Sequence, residues 1–294
     1  MADHIAGAGP VTFQFSSQLR ADFDPEMGAM WLRWNPQPRP CFNEDLLAAC
    51  YEYAQLLQAC GGRITHNNQT FDVRSSILNS DLPGVFNLGG DLGLFTGLIA
   101  SRDRTKLMRY GMACVEVVYQ NYIGYELPIT TVSLVQGECL GGGFEAALSS
   151  HVVIAERHAR FGFPEVLFNL FPGMGAVSFL IRRGGDALAR EVSESGAIYS
   201  ADDMLQRGFI DAVVDEGEGP AAVREYLRKN ERTLRNLVQV RRRVRPIHRR
   251  ELDDIVNLWV DAALKLDPRD LRLMGHIVTR QDRLTNNPQS EKSK

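Results

Sequence analysis

The sequence predicts an α/β fold of alternating strands and helices, followed by a helical C-terminal segment. Apolar, β-branched runs of strand length alternate with longer amphipathic stretches between residues 29 and 170, as in βαβ units with a mainly parallel sheet. Glycine clusters stand at two junctions where a strand passes into a helix. From about Pro220 the composition becomes charge-rich and helical to the end of the chain.

Length and charge limit the classes of protein to consider. The chain has 294 residues, a formal net charge of -3, 44% hydrophobic and 23% charged residues. We divide it into a core over residues 1–219 and a helical C-terminal segment over residues 220–294. The charge favours neither nucleic acid nor a membrane surface as a partner. The sequence shows neither a secretory leader nor an apolar run of about 18 residues, so we expect a cytoplasmic protein.

The first elements follow an N-terminal stretch of about 25 residues that resists assignment. "AMWLRWNP" predicts a strand that ends at Pro36, because proline cannot donate a ladder hydrogen bond. "CFNEDLLAACYEYAQLLQACGG" predicts a helix that Asn43 caps and Gly61-Gly62 end. "FDVRSSIL" predicts the next strand.

The second half of the core continues the alternation. "VFNLGGDLGLF" predicts a glycine turn that opens a helix, and "SRDRTKLMRYGMACVEVVYQNYI" predicts a long amphipathic helix. "PITTVSLVQG" predicts a strand, followed by a helix over 142–149, the strand "HVVIAE" and a helix from Pro164. The last residues, "NNPQSEKSK", predict a disordered tail.

The two glycine turns are candidate anion-binding sites. The first amides of a helix lack internal partners, the helix dipole adds positive charge there, and glycine lets a ligand oxygen approach closely. One such turn serves tight packing equally well. Two turns can each give one amide to the same oxygen, and that arrangement is an oxyanion hole.

Two glutamates in apolar surroundings follow the second turn. Glu145 lies about one helical turn after Gly142, and Glu165 follows Pro164. Buried acids are costly unless they are paired or functional, so this pair suits proton transfer at a carbon beside a polarised carbonyl. The alternatives are an arginine that neutralises Glu145 and a helix dipole that Glu165 complements.

The remaining reactive residue types predict no second chemistry. Cys41, Cys50, Cys60, Cys114 and Cys139 are odd in number and form no CxxC pair, which favours small buried side chains. The histidines have no metal-ligand spacing. The chain also has neither a GxSxG elbow nor a phosphate-binding GxxxxGK[ST] loop.

The motif "GGGFEAALSSHVVIAERHARFGFPEVLFNLFPGMGA", with "FNLGGDL" upstream, resembles the enoyl-CoA hydratase/isomerase (crotonase) superfamily. "FNLGGDLGLF", "VQGECLGGGFEAALSSH", "GFPEVLFNLFPGMGA" and "LWVDAAL" are most similar to the bacterial diffusible-signal-factor synthases, which make cis-2-unsaturated fatty acids. The resemblance runs from about Phe42 to Arg283. It implies a crotonase-like spiral of ββα units with a helical C-terminal segment.

The resemblance also implies roles for individual residues. The amide of Gly142 would be one oxyanion donor, and the turn Leu88-Gly89-Gly90 would supply the other from an amide that the sequence leaves open. Glu145 and Glu165 would act as acid and base. A 3-hydroxyacyl thioester on acyl carrier protein would lose water to give a cis-2-enoyl chain, and the same site would then hydrolyse the thioester.

Two further features of the sequence each have an alternative interpretation. "FNLFPGMGA" and "IVNLWVDAAL" resemble acyl-pocket segments, which makes Met174 and Trp259 candidate lining residues, and core packing is the alternative. "VRRRVRPIHRR", from Val240 to Arg250, suits a solvated helix face, and docking of an acidic acyl carrier protein is the other interpretation.

The resemblance implies no cofactor, because the acyl chain arrives on the phosphopantetheine of acyl carrier protein or on CoA. The implied partners are acyl carrier protein, a regulatory signal receptor or sensor kinase, and further copies of the chain in a trimer or dimer of trimers. A generic enoyl-CoA hydratase or isomerase and a noncatalytic fatty-acid- or partner-binding protein are the alternative functions. The presence of both glutamates and both glycine turns favours catalysis.

Overall fold

The structure is a computed structural model that describes residues 3–5 and 11–286. Apart from Asn286, which ends the last helix, the predicted disordered tail lies outside the described residues. Within the described ranges, no helix combines the length and the apolar character that crossing a membrane would require.

A large mixed sheet forms the main layer. Its strands are β1 (Asp3–Ile5), β2 (Val11–Ser16), β3 (Leu19–Asp24), β4 (Ala29–Trp34), β7 (Ser75–Ser80), β9 (Thr130–Val135), β11 (Val152–Glu156) and β14 (Ala212–Val214), in that order across the sheet. The pairs from β1 to β4 are antiparallel, whereas those from β4 through β14 are parallel. The prediction of a mainly parallel sheet is therefore wrong for the N-terminal half, where the unassigned residues form antiparallel hairpins.

A second, smaller sheet carries the glycine turns. Its strands are β8 (Gly84–Asn87), β10 (Gly137–Leu140), β12 (Arg160–Gly162) and β13 (Ile198–Ser200), and β5 (Arg63–His66) and β6 (Gln69–Asp72) form a separate hairpin. β8, β10 and β12 are parallel, and each comes directly after a strand of the large sheet. Helices follow each of these strand pairs, which confirms the predicted spiral of ββα units.

Ten α-helices are described. They are α1 (Glu44–Ala59), α2 (Leu92–Ala100), α3 (Arg104–Tyr122), α4 (Gly142–Ser149), α5 (Ala176–Gly184), α6 (Asp186–Glu194), α7 (Ala201–Gln206), α8 (Gly219–Val244), α9 (Arg249–Ala263) and α10 (Pro268–Asn286). The predicted helices within 41–62, 101–123 and 142–149 are confirmed. Asn43 caps α1 as predicted, since its Oδ1 accepts from the amide of Leu46 at 2.9 Å.

Three predicted elements need correction. "FDVRSSIL" divides between β6 and β7, because the amides of Val73 and Arg74 bind the carbonyls of Gly62 and Gly28 instead of continuing a ladder. The helix predicted from Pro164 is a 3₁₀ segment, Pro164–Phe168. The strand that enters the GGG turn is β10 of the small sheet and not β9, which the sequence had suggested.

The C-terminal segment completes the core rather than standing apart from it. The outer face of the large sheet carries Val132, Leu134, Val152 and Ile154, which cluster with Val223 and its neighbours along α8. The opposite face packs into the main cluster, which includes side chains of α9 and α10. The predicted boundary at residue 220 falls one residue after α8 begins.

The basic run Val240 to Arg250 is divided among the end of α8, a linker and the start of α9. Arg242 turns inward and donates to the carbonyls of Leu127 and Ile129, at 3.0 Å each. Burial lowers the pKa of Arg242 to about 10. Arg249 pairs with carboxylates of α3 and α9. A solvated helix face therefore describes only part of this run.

We expect Arg242→Met to lower the free energy of unfolding by about 2–3 kcal/mol, because it removes hydrogen bonds from a charged donor to two partly buried carbonyls. Arg243 is the matched control, since it is exposed and its one bond within the described residues is to the Gln239 carbonyl of its own helix. Arg243→Met should change stability by less than about 0.5 kcal/mol. Urea unfolding measures both values, and equal losses would contradict the role given to Arg242.

Candidate active site

The two glycine turns meet because β8 and β10 are parallel neighbours. The carboxyl ends of parallel strands lie at one edge of a sheet, so the turns that follow them are adjacent. A Cβ atom on Gly89 would lie 2.7 Å from the amide nitrogen of Gly142. Gly141 has a φ of 52°, which L side chains rarely adopt, and its amide binds the carbonyl of Gly162 at 2.9 Å. Glycine is thus required by close backbone approach and by backbone conformation.

The hydrogen bonds of the first turn identify which of its amides is available. The amide of Leu88 donates to the Pro40 carbonyl, and the amide of Gly89 donates to Oδ1 of Asn87, each at 2.8 Å. The amide of Gly90 has no acceptor among the described residues. Across the turn, Gly142 begins α4, so its amide has no intrahelical acceptor. The geometry therefore leaves Gly90 and Gly142 as the two candidate donors.

Glu145 is held by the start of another helix. It is 1% exposed, and its Oε1 accepts from the amides of Met174 at 2.9 Å and Ala176 at 3.0 Å. Burial raises the pKa of Glu145 to about 7, although the two amides partly counteract this effect. Within the described residues no salt bridge reaches Glu145, so the alternative of an arginine partner is wrong.

Glu165 lies in the 3₁₀ segment and points toward the second glycine turn. A Cβ atom on Gly141 would lie 2.5 Å from its Oε1. Its Oε2 is shielded from solvent and has no hydrogen-bond partner among the described residues. Burial and the nearby charge of Glu145 raise the pKa of Glu165 to about 8. Glu165 lies in the first turn of this five-residue segment, where a dipole would favour its charged form, but burial outweighs that effect.

The two carboxyls flank the Gly141-Gly142 peptide. Glu165 lies against Gly141, and a Cβ atom on Gly142 would be 3.6 Å from Oε2 of Glu145. Each carboxyl has a pKa near neutrality, and both line the same cavity as Gly142. Such a pair can give and take protons at physiological pH, as acid–base chemistry requires.

A cavity of about 170 Å³ joins these groups. Engineered cavities of about 150 Å³ admit benzene, so this space is large enough for part of an acyl chain. Its lining includes both glutamates, Leu88, Gly90 and Gly142. Gly89 is not among the lining residues and packs against the Gly142 nitrogen. Met174 and Trp259, which the sequence indicated as candidate lining residues, line it as well.

Sequence reasoning missed other residues of this cavity. Glu138 of β10 is a third acid in the lining, and Tyr110 and Cys114 of α3 form part of the wall. Burial raises the pKa of the Cys114 thiol, which is unsuited to act as a nucleophile. The position of Glu138, three residues before Gly141, could have indicated a place in the site. The i, i+4 spacing of Tyr110 and Cys114 could not, because it is equally typical of core packing.

The mouth of the cavity carries exposed apolar side chains. Leu167 is 56% exposed and Ile198 is 46% exposed, and both line the cavity beside Gly196. The inner end lies between α1 and α3, where Leu47, Val117 and Val118 line the wall. The cavity thus has an exposed rim at Leu167 and Ile198, a buried wall at Leu47 and Val118, and both carboxyls in its lining.

Comparisons with known proteins agree on the family. A family model described as enoyl-CoA hydratase/isomerase matches residues 54–251. The probable enoyl-CoA hydratase of Bacillus subtilis (strain 168) is 29% identical over 173 residues, which are 57% of this chain and 64% of that protein. The chain therefore matches slightly less than two thirds of the length of this curated relative.

Solved structures show the same fold at low identity. The enoyl-CoA hydratase of Bacillus halodurans superposes with a TM-score of 0.71 at 17% identity, covering 89% of this chain and 100% of that one. Pseudomonas aeruginosa DspI superposes with a TM-score of 0.66 at 20% identity, covering 84% of this chain and 95% of that one. Both likenesses concern the fold alone.

The raised pKa of Glu165 predicts how stability depends on pH. In the folded protein this carboxyl binds its proton up to about pH 8, whereas an unfolded glutamate has a pKa of 4.5. Its contribution to stability is therefore largest below pH 4.5 and is lost as the pH rises toward 8. We expect Glu165→Gln to be more stable than the parent protein at pH 9, by about 2–4 kcal/mol.

Urea unfolding at pH 4.5 and pH 9 measures this effect. The advantage of Glu165→Gln should be small at pH 4.5, because the parent carboxyl is then protonated in the folded protein. Glu52, exposed on α1, is the matched control, and Glu52→Gln should show no such dependence on pH. An advantage of Glu165→Gln that is the same at both pH values would contradict the raised pKa.

Proposed function

The chain belongs to the enoyl-CoA hydratase/isomerase family, and on this premise we propose that it is a diffusible-signal-factor synthase. In this proposal it dehydrates a 3-hydroxyacyl thioester on acyl carrier protein to the cis-2-enoyl thioester. It then hydrolyses the thioester and releases a cis-2-unsaturated fatty acid. The motifs around both glycine turns and both glutamates resemble that subfamily, and the site supplies the groups that each step needs.

One observation supports the chemistry above the others. Two carboxyls with pKa values of about 7 and 8 flank two available amides, those of Gly90 and Gly142, on the wall of an apolar cavity. Two amides that bind a thioester oxygen stabilise the enolate formed when the α-proton leaves. Between pH 7 and 8 the pair holds about one proton, so one carboxyl is ready to accept while the other is ready to donate.

Dehydration in this site moves the proton across the pair. Both carboxyls lie against the Gly141-Gly142 turn, and the ionised one of the pair takes the α-proton. The protonated one then donates its proton to the departing hydroxyl, which leaves as water, and the electron pair of the broken C–H bond forms the 2,3 double bond. A raised pKa makes a carboxylate a stronger base toward the α-proton, and a carboxyl with a pKa near neutrality still holds a proton to donate at physiological pH.

Hydrolysis uses the same donors. A carboxylate of the pair takes a proton from water, and the resulting hydroxide adds to the thioester carbon. The oxygen that becomes negative is the one already bound by Gly90 and Gly142. Collapse breaks the carbon–sulfur bond, the thiol leaves with a proton, and the free acid remains.

A generic enoyl-CoA hydratase is the second candidate. The match over residues 54–251 and the Bacillus subtilis relative, a probable enoyl-CoA hydratase, favour it. Run in the opposite direction, the same carboxyls would add water across the double bond of an enoyl thioester. The two proposals share the site and differ in the product and in the fate of the thioester.

The carrier would approach at the mouth of the cavity. The basic run lies near the C-terminal end of α4, where Arg241, Arg242 and Arg245 line a cleft together with Leu148. Gly142 is at the opposite end of the same helix, which has eight residues and is therefore about 12 Å long. We therefore assign carrier docking to the surface around Leu167 and Ile198 rather than to the basic run.

Self-association stays part of the proposal. Leu237, Val240 and Val244 are exposed on α8, at a spacing that places them along one side of the helix. Apolar residues aligned in this way suit contact between copies of the chain, as in the trimers or hexamers that the resemblance implies. A regulatory receptor or sensor kinase is a further partner that the resemblance alone suggests.

Product analysis tests the function directly. We expect purified protein and a 3-hydroxyacyl-carrier substrate to yield a free cis-2-enoic acid and released carrier, identified by mass spectrometry and chromatography. Glu145→Gln and Glu165→Gln should each lower this rate by at least about 100-fold, because each removes one proton-transfer group. Glu52→Gln should retain the rate. A trans product that remains on its carrier would instead support the hydratase.

Gly142→Ala tests whether one oxyanion site serves both steps. The added methyl would lie 3.5 Å from the Gly90 nitrogen and 3.3 Å from Cα of Gly89, where the thioester oxygen must sit, yet the backbone conformation at Gly142 accepts alanine. We expect dehydration and thioester hydrolysis to fall together by about 100- to 1000-fold.

The matched control for Gly142→Ala is Gly97→Ala, because a Cβ atom at Gly97 of α2 meets nothing within 4 Å. This control should keep both activities. The two rates are measured separately, by enoyl formation on a hydroxyacyl carrier and by acid release from an enoyl carrier. Loss of one rate alone would mean that the steps use different oxygen sites.

A further inference from the structure

A second cavity lies beyond the inner wall of the active-site cavity. It measures about 20 Å³, and its lining includes Leu32, Trp34, Ala54 and Leu78. Val117 of α3 lines this space and the active-site cavity as well. The two cavities are therefore neighbours, and Val117 stands at the place where they are closest.

Both cavities follow the same seam between α1 and α3. These helices run side by side in the same direction, since Glu44 contacts Arg109 near their starts and Gln58 contacts Gln120 near their ends. Leu47 and Cys114 line the active-site cavity from the two helices. Cys50 and Ala54 on α1, and Asn121 on α3, line the second cavity about one or two helical turns further along.

The side chain of Val117 is suited to be a fixed wall. A β-branched residue in a helix has one strongly preferred rotamer, so Val117 cannot swing aside as a leucine or methionine could. Beyond it the lining is mostly aromatic and aliphatic, which suits the methyl end of an acyl chain. Glu116 and Gln120 also line this cavity and hydrogen bond to each other, and its volume of about 20 Å³ limits the extra space.

We propose that Val117 sets the length of the acyl chain that the site accepts, and that the second cavity is a closed extension of the acyl site. This inference rests on the proposed function only in taking the ligand to be an acyl chain. The side chain of Val117 is apolar and takes no part in the hydrogen bonds of Glu145 or of the glycine turns. Changes at this residue should therefore alter chain-length preference without altering the chemistry.

The expected shifts have opposite directions. Val117→Ala removes two methyl groups and should join the cavities, so preference moves to longer chains. Each additional methylene that becomes buried should tighten binding by about fourfold, which corresponds to about 0.8 kcal/mol. Val117→Ile adds one methyl group to the wall, keeps the β-branch and should move preference to shorter chains.

Val118→Ala is the matched control. Val118 is the next residue of α3, it loses the same two methyl groups, and it lines the active-site cavity but not the second cavity. It should leave the preferred length within one carbon of the parent. Ala54→Val added to Val117→Ala refills the second cavity and should reverse the shift.

The experiment measures binding and products separately. Dissociation constants are determined for straight-chain fatty acids from hexanoate to tetradecanoate, and product lengths are determined by mass spectrometry from an equimolar mixture of hydroxyacyl carriers. A longer optimum for Val117→Ala that Ala54→Val reverses supports the inference. An unchanged optimum in a folded Val117→Ala protein, or the same shift in Val118→Ala, would overturn it.

The two arms separate this inference from the proposed function. If the parent protein releases no free cis-2-enoic acid but Val117→Ala still binds longer chains more tightly, the synthase proposal fails and the role of Val117 stands. If the acid is released and its length does not respond to Val117, the synthase proposal stands and the role of Val117 fails.

Discussion

The close approach of two backbone turns is the constraint on which the rest of the site depends. The parallel pairing of β8 with β10 places Gly89 against Gly142, so near that a Cβ atom on Gly89 would lie 2.7 Å from the Gly142 nitrogen. This contact leaves no room for a side chain larger than that of glycine, and it sets the separation of the Gly90 and Gly142 amides. The ββα spiral produces this pairing, because β8 and β10 each follow a longer strand of the large sheet and lie side by side in the small sheet. A register shift between β8 and β10 would separate the amides.

Burial at this edge determines the acid–base properties of the two carboxyls. Desolvation raises both pKa values toward neutrality, and the charge of Glu145 raises that of Glu165 further. The two amides that bind Oε1 of Glu145 favour its charged form, whereas Oε2 of Glu165 has no such donor among the described residues. The environment thus distinguishes two residues of the same type. The same desolvation lowers stability at high pH, so the fold bears a cost for the site.

The C-terminal helices are part of this environment and do not form a separate unit. α8 covers the outer face of the large sheet, and Trp259 of α9 closes the cavity against Gly173, where a Cβ atom would be 2.3 Å from the indole. Asp270 at the start of α10 accepts from Asn169, the left-handed residue that ends the Glu165 segment. Helices from the end of the chain therefore help to position the Glu165 segment and form part of the cavity wall.

The sequence by itself determined the α/β class, most helices, both glycine turns and the two glutamates, because these features depend on local residue types and on spacing along one segment. The tertiary structure decided the features that depend on distant segments. It selected the amide of Gly90, because Leu88 bonds to Pro40 and Gly89 bonds to Asn87. It also set the amide partners of Glu145 and the position of Val117 between two cavities. Such contacts join residues far apart in the chain, and no local pattern records which of them will meet.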